Sequence, residues 1–79
     1  MKVRVGIFGT FRRHFPGYRS SQGMEVELPE GATVQDLLAL LNLTESQGAV
    51  VIAGGRVLNT DERLQRGVPV NVMQAIGGG

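Results

Sequence analysis

The most constraining stretch of this chain runs from Thr33 to Asn42. Val34, Leu37, Leu38 and Leu41 recur there at spacings of three and four, the period that lines one face of a helix with aliphatic side chains. Thr33-Val34-Gln35-Asp36 has the form of a capping box. The threonine hydroxyl accepts from the amide three residues on, and the acid reaches back to the threonine amide. Asn42 stands where helices commonly stop. The pattern predicts one helix beginning at Thr33, with an apolar stripe that some other element must cover.

The rest of the chain supplies strands. Val3, Val5 and Ile7 alternate with Lys2, Arg4 and Gly6, which predicts a half-buried strand over Lys2 to Thr10. From Phe11 to Gly23 the period lapses and Pro16, Gly17, Ser20, Ser21 and Gly23 accumulate, a long connection that Phe11, Phe15 and Tyr18 can pin to the body. Met24, Val26 and Leu28 alternate with Glu25 and Glu27 and stop at Pro29-Glu30-Gly31, so the first two strands read as a hairpin with a wide loop. After the helix, Ala49 to Ala53 is a β-branched run, Gly54-Gly55 can take the positive φ angles of a tight turn, and Arg56-Val57-Leu58 returns. Val68, Val70 and Val72 alternate with Pro69, Asn71 and Met73 as a last strand, with Pro69 at its start or edge because it has no N–H to donate.

A helix with one apolar stripe, set between two hairpins, has to cover one face of a sheet made from both. That is a two-layer α+β arrangement in the order ββαβββ, a mixed sheet of four to five strands on one main helix: the β-grasp. The first and last strands are expected to pair in its centre, sending the residues from Gln74 onward off the sheet. We expect a β-grasp domain over residues 1–76 and a flexible glycine tail over 77–79.

With 79 residues the chain has room for one small domain and no deep substrate cleft, which argues against an autonomous enzyme. It has no cysteine, so thiolate metal sites and thiol catalysis are excluded. A net charge of +1 gives no general attraction to nucleic acid. No apolar stretch suits a signal peptide or membrane span, so a cytoplasmic setting is expected. The charges are segregated: Lys2, Arg4, Arg12, Arg13 and Arg19 precede Gly23 with no acid among them, and all seven acids follow. The basic segment could bind an anion, but such runs are more often solvated loop surface. His14 has no companion at ligand spacing and reads as a surface residue. Glu25 and Glu27 read as solvent-facing, and Gly54-Gly55 as a turn.

Gly77-Gly78-Gly79 carries no side chain, so it can thread extended through a channel where any Cβ would clash. Its chemistry is that of a carboxylate, ionised at neutral pH and a poor acyl donor until activated. By composition alone the tail also fits a cloning remnant or a disordered end.

Taken with Phe8-Gly9-Thr10-Phe11-Arg12, Leu28-Pro29-Glu30-Gly31-Ala32-Thr33-Val34, Leu37-Leu38, Leu64, Gly67 and the terminal Gly78-Gly79, the chain resembles the MoaD/ThiS family of ubiquitin-like sulfur carriers. The resemblance covers nearly the whole length. It implies a carrier with no turnover of its own, which could serve as the small non-catalytic subunit of a synthase. A partner similar to ubiquitin-activating enzymes would use ATP and magnesium to adenylate the Gly79 carboxylate, while the carrier itself binds no cofactor. Persulfide sulfur would then yield a thiocarboxylate. The acceptor would be a synthase of molybdopterin or thiamine biosynthesis, meaning the molybdopterin synthase large subunit or thiazole synthase. Gly79 and Gly78 would do the carrying, and Gly77, Ile76, Phe8, Phe11 and Arg12 would meet partners. For Phe8 and Phe11 a place in the core is at least as good a reading of the sequence.

The pattern departs from the family in two places. Gln74-Ala75-Ile76-Gly77 stands where molybdopterin-type tails carry prolines and a serine, and Gly67-Val68 stands where Gly-Asp is common. The tail thus resembles the thiamine type while Phe8 to Arg12 resembles the molybdopterin type, and the pathway stays open, leaning to molybdenum or tungsten cofactor synthesis. Two other functions fit the same sequence. One is a ubiquitin-like modifier conjugated through Gly79. The other is an RNA-binding β-grasp module using the basic segment, with binding that would fall steeply with salt.

Overall fold

The computed structural model describes residues 1–9, 11, 15, 23–44 and 48–74. Strand β1 (Lys2–Ile7) is followed by β2 (Met24–Glu27), helix α1 (Val34–Leu40), β3 (Ala49–Ala53), β4 (Arg56–Leu58) and β5 (Val70–Gln74). The strands form one sheet in the order β2-β1-β5-β3-β4. β1 and β5 run parallel in its centre, with Val5 opposite Val70 and Ile7 opposite Val72. The other neighbours are antiparallel. The expected ββαβββ order and mixed sheet are therefore present.

Alternation decides which side chains meet the helix. Val3, Val5 and Ile7 of β1, Val26 of β2, Val51 of β3 and Val70 and Val72 of β5 are buried on one face, against Val34, Leu37, Leu38 and Leu41. Phe11, Leu28, Ala32, Leu43, Ala49 and Leu64 complete this core, and Phe15 packs on its margin. Phe11 and Phe15 thus tie the β1–β2 connection to the body; Tyr18 lies outside the described residues.

The ends of α1 follow their sequence. Thr33 is extended, its hydroxyl accepts from the Asp36 amide at 3.2 Å, and the Asp36 carboxylate accepts from the Thr33 amide at 2.9 Å. At the other end Asn42 takes a φ of 59°. Its amide donates to the Ala39 carbonyl and that of Leu43 to the Leu38 carbonyl, the paired bonds of a Schellman motif. Leu38 and Leu43 are both buried, which supplies the accompanying apolar contact. Gly54 and Gly55, with φ of 59° and 78°, turn β3 into β4 as a two-residue hairpin loop requires.

Two boundaries differ from the sequence reading. β1 ends at Ile7 rather than Thr10, and Gly9, with a φ of 71°, leaves the strand conformation. β5 starts at Val70, because Val68 and Pro69 belong to the preceding turn, where the Val68 amide donates to the Gln65 carbonyl. It then runs on to Gln74, which pairs with Ala49. Gln74 is therefore part of the ladder and does not leave the sheet as expected; the residues after it lie outside the described residues. Among the described residues no helix is long and apolar enough to cross a membrane.

Candidate functional site

The face of the sheet turned away from α1 is divided by register. Residues opposite one another in a ladder share a face, so Gly6 with Asn71, Val50 with Met73, and Ile52 with both Asn71 and Val57 lie on this outer side. Phe8 follows β1 in the same parity and is 42% exposed. Its amide donates to the Val72 carbonyl at 2.9 Å, which continues the β1–β5 ladder beyond Ile7. A Cβ placed on Gly6 would lie 3.2 Å from the Phe8 ring and 2.5 Å from the Asn71 side-chain oxygen. Glycine at position 6 thus lets the ring and the amide settle directly on the backbone.

The result is an apolar stripe of Phe8, Met73, Val50, Ile52 and Val57 across the outer face, with Val57 57% exposed on β4. It reaches the end of β5 from which residues 75–79 continue. On the β1–β2 side the same face is charged. Lys2 and Arg4 lie 3.9 and 3.6 Å from Glu25. Antiparallel pairing therefore sets basic residues of β1 beside an acid of β2, and the basic patch suggested by the segregated charges is neutralised here. These pairs are exposed and contribute little to stability.

Of the residues named from sequence as meeting partners, Phe8 is exposed at the mouth of this stripe. Phe11 is 3% exposed and belongs to the core, so its ring is not offered to a partner. Arg12, Ile76, Gly77, Gly78 and Gly79 lie outside the described residues. Val50, Ile52, Val57 and Met73 were not picked out from sequence. Val50-Val51-Ile52 is a β-branched run without alternation, and only its pairing tells which members face outward. Among the described residues no polar or charged side chain is buried and no three His, Asp or Glu side chains cluster. What the face offers to chemistry is a surface for docking.

The ThiS family model matches residues 5–79. A solved structure from Pyrococcus furiosus, assigned as molybdopterin converting factor subunit 1, superposes with a TM-score of 0.75 at 28% identity, covering 96% of this chain and 99% of that one. The crystal structure of SAMP1 from Haloferax volcanii superposes with a TM-score of 0.67 at 17% identity over the whole of both chains, a likeness of fold. No curated protein sequence matches the chain. The family match begins within β1, takes in every later element and runs on through Gly79, and the chain belongs to the ThiS family of ubiquitin-like, β-grasp sulfur carriers.

Proposed function

We propose that the chain carries sulfur on the carboxylate of Gly79 for molybdopterin or thiamine biosynthesis. A partner of the ubiquitin-activating type would bind ATP and magnesium. The carboxylate oxygen attacks the α-phosphorus of ATP, pyrophosphate leaves, and an acyl-adenylate forms. The terminal sulfur of a persulfide then attacks the acyl carbon and expels AMP. A thiol then attacks the S–S bond of this acyl disulfide, which leaves a disulfide on the sulfur donor and the thiocarboxylate on Gly79. In the acceptor synthase the thiocarboxylate sulfur attacks the precursor and displaces an oxygen leaving group, and water then hydrolyses the thioester C–S bond, so that the sulfur stays on the precursor and the carboxylate returns.

The observation that carries this reading is the family match continuing through Gly79 on a fold whose last strand is central. A central strand is held on both sides, so the segment after Gln74 starts from a fixed point. The outer-face stripe beside that point gives a partner apolar surface to grip, as contiguous exposed apolar groups commonly do. Gly77, Gly78 and Gly79 would enter a narrow channel because they have no Cβ.

The test is the intact mass of the protein after incubation with a cognate activating enzyme, ATP, magnesium, a cysteine desulfurase and cysteine. A gain equal to exchanging one oxygen for sulfur, lost on deleting Gly79 and slowed in Phe8→Asp, is the expected result. An unchanged mass, with the enzyme active on a control carrier, counts against sulfur transfer, and a lysine-linked conjugate formed in lysate would indicate a protein modifier instead.

A further inference from the structure

A second surface lies at the opposite end of the sheet from Gln74, on the helix side but beyond the reach of α1. The β3–β4 hairpin and the segment 62–70 enclose a cleft of about 400 Å³ between them, and no residue of α1 lines it. Ala53, Leu58, Leu64 and Val70 provide aliphatic walls, and Val68, 38% exposed, forms part of the lip.

The polar rim is unevenly satisfied. Arg56 donates to both Glu62 carboxylate oxygens, at 3.1 and 2.8 Å, and the Asn59 amide donates to one of them at 2.6 Å. This arrangement ties the hairpin to the segment that follows it. It also occupies the acid of the rim. Arg63, exposed on the same rim, has no ion-pair partner among the described residues. The lining charges, Arg56 and Arg63 against Glu62, sum to a net positive.

We propose that this cleft is a second protein-docking site, taking an aliphatic side chain of a partner whose flanking residues are acidic. The walls match a leucine-like side chain and the unpaired Arg63 matches a carboxylate beside it. A small molecule is the poorer occupant, because ligand pockets enclose most of their ligand and this cleft is about half open to solvent. A side chain projecting from a larger body closes the opening with its own backbone. Val70 begins β5 and Gln74 ends it, so a partner here leaves the other end of the strand clear. The site does not depend on chemistry at Gly79.

The experiment is a two-dimensional 15N–1H NMR titration of the full chain with a capped acidic peptide carrying one central leucine. Amide shifts are expected to concentrate at Ala53, Gly54, Arg63, Leu64, Val68 and Val70, with weak, millimolar affinity. Arg63→Glu should weaken binding about fivefold or more, and its spectrum reports whether the fold is kept. Replacing the peptide's leucine by serine, or its acids by their amides, should remove the response, while deleting Gly78 and Gly79 should leave it unchanged. No response at millimolar peptide, shifts confined to the outer face, or equal binding of the serine peptide would overturn the proposal.

Discussion

Glu62 accepts three hydrogen bonds, two from Arg56 and one from the Asn59 amide, and they act on its ionisation. The two bonds from Arg56, then the bond from the Asn59 amide, hold its carboxyl below the ordinary range, and Arg56 is raised in turn. A carboxyl whose folded pKa is lowered adds stability that is present above its unfolded pKa and is lost as pH falls through the folded value. Glu62→Gln should therefore lower the denaturation midpoint at neutral pH. The gap to the parent protein should close as the pH drops below the ordinary glutamate range, which denaturation curves over a pH series would record. A constant gap would mean that the carboxamide loses shape and not charge.

Helix α1 shows how far an element can be read in advance. Its start was legible because Thr33 and Asp36 satisfy each other's orphan amides from positions three apart, all within the local sequence. Its stop was legible as a place, at Asn42, but not as a mechanism. The positive φ of Asn42 and the Leu43-to-Leu38 bond depend on Leu43 turning back into the core. That conformation is open to glycine and tolerated by asparagine, whereas a β-branched residue meets its own carbonyl. Asn42→Val should cost about 1–2 kcal/mol in chemical denaturation and Asn42→Gly should be near neutral, so equal losses would count against the cap.

The strands were less legible because pairing is not local. Alternation revealed the buried members of β1 and β5, yet it did not show that Val68 and Pro69 belong to a turn or that Gln74 pairs with Ala49. It did not separate Phe11, inside, from Phe8, outside, since Phe8 follows the buried Ile7 as if continuing its apolar run and Phe11 lies past Gly9, where the strand has ended and no period operates. For the same reason the stripe through Val50, Ile52, Val57 and Met73 emerged only with the register.

For the molecule as a whole, the parallel pairing of β1 and β5 governs how it bears a mechanical load. Held near Lys2 and pulled beyond Gln74, the two central strands are drawn past one another along their length. The hydrogen bonds between them then share the force together and do not open one after another, as they would in a hairpin peeled from its end. Forced unfolding is governed by the unfolding rate, so single-molecule stretching between the two ends should need more force than stretching across the antiparallel β3–β4 hairpin. A partner that tugs on the residues after Gln74 would therefore move the domain as one rigid body before it unravelled any strand.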